Sequence, residues 1–195
     1  DVTLHYDAIG SGDNFVLQLN GTDHFTFRNL KMTALDSSYS RVVSLSGGIN
    51  DVVFDNITFT GQSTSSSSSN GTLVYGSSVP AKDLRFSNCS FTYGSYGIAI
   101  DAPSNNSMSG LVIENSTFKN YYTGAHLRYF DAPTITNNTF NQPPNTSEDY
   151  IYLCGEVPQI SSAATVSNNI FTNTSNQEVD SLVEVFTAFG YSLDL

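Results

Sequence analysis

The chain has 195 residues, 13% of them charged, and a formal net charge of −11. That length supports one domain with a full core, while seven basic residues are too few for a nucleic-acid footprint or for an anionic membrane surface. No apolar run reaches the length of a membrane-spanning helix, and abundant Ser, Thr, Asn, Gly and Tyr suit a secreted or cell-surface protein.

In chain order, residues 1–12 supply an alternating strand (Val2, Leu4, Tyr6) that completes a first turn. A unit then recurs. FTFRNLKM from Phe25, VVFDNITF from Val52, LRFSNCSF from Leu84, LVIENSTF from Leu111, PTITNNTF from Pro133 and ATVSNNIF from Ala164 share one frame. Aligned, they place Asn29, Asn56, Asn88, Asn115, Asn137 and Asn168 in one column. Met32, Phe59, Phe91, Phe118, Phe140 and Phe171 fall in another. Successive Asn positions are 27, 32, 27, 22 and 31 residues apart. A fixed kernel at an imperfect period of this size marks a solenoid.

Each unit begins as a strand with period two and bends at the Asn. A shorter strand precedes each unit: FVLQL, RVVSLS, GTLVY, GIAID, GAHLR and YIYLC. Two strands and a bend per coil, stacked in parallel, describe an all-β parallel β-helix of about six to seven coils at ~4.8 Å each. Residues 1–195 read as a single domain. The Asn column is expected to be a buried structural ladder, each amide bonding to its neighbours above and below, with the aromatic column stacked inside.

Between the strands, QSTSSSSSNG (62–71) reads as a solvated flexible loop. DAPSNNSMSG, NQPPNTSED and TNTSNQEVD read as turn-rich connections. Neither end shows a polar cap, so the chain is expected to be a segment of a longer protein with flanking domains. Cys89 is expected to point inward, and Cys154 lies too many coils away to bridge it, so both read as free thiols. Nine N-x-[ST] sequons occur, at Asn20, Asn56, Asn70, Asn88, Asn105, Asn115, Asn137, Asn145 and Asn173. A buried ladder would bar glycans from the four that belong to it.

Candidate functional residues come from the outward columns. On the repeat strand, Arg28 falls beside Asp55 as an ordinary surface pair. On the short strand, one column reads Gln18, Ser44, Val74, Ala99, His126, Tyr152 and Glu184. The next reads Asn20, Ser46, Gly76, Asp101, Arg128, Cys154 and Phe186. Asp101 therefore lies next to Arg128, and His126 next to Tyr152. A His base, a Tyr, an Arg and a carboxylate are the parts needed to take a proton beside a sugar carboxylate. Tyr93, Tyr96, Tyr121 and Tyr122 cluster nearby and offer rings for stacking on sugar faces. Packing of side loops against the rod accounts for those tyrosines equally well. No metal-ligand spacing and no cofactor motif is present. No outward column is consistently Thr, so a regular ice-binding face ranks a distant third.

FDNITFTG, FSNCSFTY, IENSTFKN and ITNNTFNQ resemble the repeats of right-handed parallel β-helix proteins of the pectin-lyase-like superfamily. NFVLQLNGTDHFTFRNLKMTA and YSRVVSLSGGINDVVFDNITFTG resemble β-helix segments of large bacterial secreted or surface proteins. The resemblance runs from about Asp13 to Phe186. It implies a right-handed helix and a carbohydrate-related role, with activities ranging from polysaccharide lyases and polygalacturonases to non-catalytic adhesins. The NTD, DD, GHG and RIK motifs of polygalacturonases are absent, as is an acidic calcium cluster like that of pectate lyases. Two function classes remain. One is a non-catalytic module that binds polysaccharide or serves as an adhesive scaffold. The other is a polysaccharide lyase or glycoside hydrolase acting on an acidic polysaccharide, with His126, Arg128, Asp101 and Tyr152 as catalytic residues.

Overall fold

The computed structural model describes residues 2–104, 108–142, 150–154, 164–173, 183–186 and 193–194. The loops expected at 141–149 and 172–180 lie largely outside these, as do Asn105 and Asn145. The described chain winds as a parallel solenoid with sheets of seven, seven and nine strands, every pair of which is parallel.

The short-strand sheet contains Leu17–Asn20, Val43–Ser46, Val74–Gly76, Tyr96–Asp101, Thr123–Arg128, Ile151–Cys154 and Val183–Phe186. The motif sheet contains Asp23–Arg28, Ile49–Asp55, Ala81–Ser87, Val112–Glu114, Thr134–Thr136 and Ala164–Ser167 along its length. A third sheet was not expected. The residues after each bend Asn form strands of their own: Leu30–Ala34, Thr58–Thr60, Ser90–Thr92, Thr117–Lys119, Thr139–Gln142 and Ile170–Asn173. Val2–Tyr6 pairs with Leu30–Ala34 at one end of this post-bend sheet and completes the first coil.

Two ring columns fill the core. Phe59, Phe91, Phe118, Phe140 and Phe171 stack with centroids 4.8, 4.4, 4.5 and 5.4 Å apart and planes within 14°. Phe27, Phe54 and Phe86 form a second column at 5.1 and 5.2 Å, continued in register by Ile113, Ile135 and Val166. Offset parallel rings at these separations gain contact beyond their buried area. Glycine makes room where the short-strand sheet crosses the column. A Cβ on Gly97 would come 2.6 Å from Phe118 Cδ1, and one on Gly124 2.7 Å from Phe140 Cδ1.

The expected position of the polar ladder needs correction. Asn29, Asn56, Asn88, Asn115, Asn137 and Asn168 are all exposed. Each holds φ between 51° and 58°, the left-handed region that Asn tolerates better than other residues with a Cβ. The bend inserts one residue out of phase: Phe54 points in, Asp55 and Asn56 point out, and Ile57 points in again. The internal column is therefore Leu30, Ile57, Cys89, Ser116, Asn138 and Asn169, one residue later. Its second half is a true ladder. Ser116 N donates to Asn138 Oδ1 (2.9 Å) and Asn138 N to Asn169 Oδ1 (2.9 Å). Asn138 Nδ2 donates to Ile113 O and Asn169 Nδ2 to Ile135 O. Outside, the exposed column is tied in part by Asn56 Nδ2 to Asn29 Oδ1 (2.7 Å) and Asn88 Nδ2 to Asp55 Oδ1 (2.9 Å). Burial thus does not bar glycans from Asn56, Asn88, Asn115 or Asn137.

Both cysteines are free and buried. Desolvation pushes the Cys89 thiol up to about 12, which leaves it protonated and unreactive at neutral pH.

Asn138→Ala is expected to cost about 1–3 kcal/mol, because it strands the Ser116 amide and the Ile113 carbonyl. Asn88→Ala is expected to cost about 1 kcal/mol, chiefly through backbone strain, since its lost bond to Asp55 is exposed, and Asn88→Gly to relieve that strain. Urea unfolding of the three variants checks the order. An Asn88→Gly loss as large as that of Asn138→Ala would restore the buried-ladder reading.

Candidate functional site

The chemistry-bearing residues collect on the outer face of the short-strand sheet. Alternation in YGIAID and TGAHLR sends Ile98, Ile100, Ala125 and Leu127 into the core. It leaves Tyr96, Ala99, Asp101, His126 and Arg128 half-buried outside. In register, Ala99 pairs with His126 and His126 with Tyr152, while Asp101 pairs with Arg128 and Arg128 with Cys154. All four candidate catalytic residues therefore lie on neighbouring strands of one face. The His126 ring stacks on Tyr152 at 4.4 Å and 8°, and Tyr96 meets His126 edge-on at 5.6 Å. Arg128 Nη1 lies 3.7 Å from Asp101 Oδ2, and Arg128 Nη2 donates to Tyr129 Oη at 3.0 Å. Partial burial holds the Asp101 carboxyl above its ordinary value of 3.8, and the Arg128 charge pulls the other way.

Several expectations on this face change. Tyr75, not Val74, is outward and pairs with Ser44 and Ala99. Val74 and Gly76 fall in the inward columns, because Leu73 and Val74 are buried consecutively at the corner and reset the alternation. Cys154 keeps its outward register beside Arg128, where its side chain meets the guanidinium, and it is buried there. Glu184 pairs through its backbone with Tyr152, and its side chain lies outside what is described. Among the tyrosines, Tyr121 is a core residue, 1% exposed, with its ring edge-on to Phe118 and Tyr150. Tyr96 and Tyr122 meet edge-on at 6.4 Å on the candidate face. Tyr93 stands apart, at a left-handed bend (φ 64°) beside the post-bend sheet.

The serine-rich stretch supplies the element missing from the sequence reading. Its serines stay exposed from Ser65 to Ser69, as expected, but hydrogen bonds tie down its ends. Ser95 Oγ donates to Ser68 O at 2.6 Å, and Asn70 O accepts from Ser40 N and Asn14 Nδ2. Arg41 Nε donates to Ser69 O at 2.8 Å, while its guanidinium lies 3.9 Å from the Tyr75 ring centroid. The loop thereby walls a groove of about 190 Å³, lined by Ser67, Ser69, Tyr75, Tyr96, Asp101 and His126 among others. Hydroxyls form one side, aromatic rings the floor, and a carboxylate the end. Only the proximity of the loop to Tyr75 in sequence hinted at this wall.

The family model described as a right-handed beta helix region matches residues 15–179. The chain belongs to the right-handed β-helix family. No curated protein and no solved structure matches it. The family assignment fixes the path of this β-helix and carries no activity with it. No helix among the described residues is long and apolar enough to cross a membrane. No group of three or more His, Cys, Asp or Glu among them could hold a metal ion.

Two measurements probe this region of the β-helix. Above its ordinary value the Asp101 carboxyl binds its proton more tightly folded than unfolded. Its contribution to stability is therefore greatest at acid pH and falls as pH rises through its raised folded value. From about pH 4 to about pH 7, wild type should lose stability relative to Asp101→Asn; parallel pH profiles would count against it. The Tyr121 hydroxyl is buried without a hydrogen-bond partner, so Tyr121→Phe is expected to hold or raise stability by about 1 kcal/mol, read as a urea midpoint.

Proposed function

We propose that this protein is a secreted or surface-attached module, of the kind found in bacterial β-helix proteins, that binds carbohydrate without cleaving it. The observation that carries the reading is the groove between the serine-rich wall and the Tyr75–Tyr96–His126 floor. Flat rings with polar edges stack on pyranose faces, and flanking hydroxyls and a carboxylate accept and donate to sugar hydroxyls. Tyr152 extends the aromatic track beyond His126.

The second reading, a polysaccharide lyase or glycoside hydrolase acting on an acidic polysaccharide, is favoured by His126 beside the Asp101–Arg128 pair. A lyase would need Arg128 to offset the charge developing on a sugar carboxylate while a base takes the adjacent proton. Here Arg128 already faces Asp101 and Tyr129. A net charge of −11 also repels a polyanion at long range. Both facts favour binding of a less acidic glycan.

A glycan array run beside an assay for unsaturated or reducing ends separates the readings. Binding without new ends is expected, and Tyr96→Ala should weaken it roughly tenfold, about 1.4 kcal/mol. New chain ends that disappear in His126→Ala would establish the enzyme instead. If the folded protein neither binds nor cleaves, both readings fall.

A further inference from the structure

The aromatic floor of the groove is interrupted at one rung. In register, the outward row of the short-strand sheet runs Ser44, Tyr75, Ala99, His126, Tyr152. Above the gap the row is closed, since the His126 and Tyr152 rings stack at 4.4 Å with planes 8° apart. At the gap Ala99 offers only a methyl group, so the residues bearing the Tyr75 and His126 rings stand two rungs apart, ~9.6 Å. Tyr75, Ala99 and His126 all line the groove. Arg41 comes from the coil of Ser44 and places its guanidinium 3.9 Å from the Tyr75 ring centroid, backing that ring from the side away from Ala99. Along the strand, Tyr96 precedes Ala99 and Asp101 follows it. The loop carrying Ser67 and Ser69 is tied to Ser95, at the Tyr96 end. The gap is therefore a slot with Ala99 at the bottom. It has a ring on two sides, hydroxyls at one end and a carboxylate at the other.

We propose that this slot takes one sugar ring on edge, the terminal β-glucosyl or β-xylosyl unit of a neutral glycan. The inference rests on the reading of the groove as a carbohydrate site and names what that site selects. A sugar one rung from each neighbour continues the row from Tyr75 to His126 and Tyr152, with an aromatic ring against each of its faces. Both faces must then be apolar. In the β-gluco and β-xylo configurations every hydroxyl is equatorial, which leaves axial C–H bonds on each face to meet the aromatic rings. A galacto or manno unit sets a hydroxyl on one face, where an aromatic ring would bury it without a partner. The equatorial hydroxyls lie around the sugar's edge, within reach of Ser67, Ser69 and Asp101. Ala99 closes the bottom, and Tyr96 and Asp101 close the ends, so the rest of a glycan can leave only outward. That selects a chain terminus over an interior unit. A nucleobase also has two apolar faces, but its nucleotide carries phosphates, which a net charge of −11 repels.

The test is ligand-observed NMR titration of the whole chain with methyl β-D-glucoside, methyl β-D-galactoside, cellobiose, cellohexaose and adenosine. The glucoside is expected to bind roughly tenfold more tightly than the galactoside, and cellohexaose no more tightly than cellobiose. Ala99→Phe puts a ring into the gap and should abolish glucoside binding while keeping the wild-type circular dichroism spectrum. Tyr75→Ala removes one side of the slot without filling it and should weaken binding roughly tenfold. Thr134→Tyr, outward on the motif sheet, should bind as wild type does. Glycan binding that strengthens with chain length, ranks the galactoside equal to the glucoside or survives Ala99→Phe overturns the slot and leaves the carbohydrate-binding groove standing. Should Ala99→Phe fail to fold, unchanged glucoside binding by Tyr75→Ala overturns the slot in the same way. Adenosine bound more tightly than the glucoside replaces the sugar by a base. A folded wild type that binds none of the glycans overturns both the slot and the reading it rests on.

Discussion

Each coil of this protein must repeat its neighbour's backbone path within one hydrogen-bond spacing, and the phenylalanine column is what holds it to that. Rings at 4.4 to 4.8 Å leave no room for a coil to slide or tilt. Gly97 and Gly124 follow from the same demand, since any side chain there would strike the column. The left-handed Asn bends follow too. A chain that closes on itself every coil must turn sharply at the same place, and Asn takes that turn with less strain than other residues that carry a Cβ.

The interior changes character along the rod. The column after the bend is apolar at Ile57 and Cys89 and becomes polar at Ser116, Asn138 and Asn169. Buried amides are tolerated there because each finds a backbone partner as well as its neighbour in the stack. Cys89 sits at the junction, its backbone amide donating to Ser116 Oγ at 3.0 Å. The exchange of hydrophobic contact for hydrogen bonds is thus made gradually, with a small residue on either side of the change.

Because the core repeats, the three outer faces are free to differ. The motif sheet carries ion pairs between adjacent coils, Arg28 with Asp55 and Arg85 with Glu114. Exposed pairs of this kind add little stability, and they set the charge of the face. The short-strand sheet carries aromatic rings and a walled groove. The post-bend sheet carries threonine and serine hydroxyls on its middle rungs. A solenoid separates such chemistries cleanly, since one substitution alters one rung of one face and leaves the stack beneath it intact.

The repeat itself was legible in the sequence: its frame, its bend, its aromatic column and the Arg28–Asp55 and Asp101–Arg128 neighbours all follow from alignment of the units. Period-two alternation decides inside from outside within a strand, and it succeeded wherever a strand runs straight. It failed where the chain turns. At Asn56 the bend adds an outward residue, which moved the polar ladder from Asn137 to Asn138 and hid the third sheet. At Leu73–Val74 the corner buries two residues in succession, which put Tyr75 rather than Val74 on the candidate face. Tyr121 went inward for a similar reason, lying at the corner before Thr123. The docking of residues 68–70 against Arg41 and Ser95 left no periodic trace. A loop has no alternation to read, and its position is set by hydrogen bonds to residues on other coils. Sequence alone thus determined what repeats. Tertiary structure decided the phase at each corner and the partner of each loop, because both depend on where the neighbouring coil places its backbone.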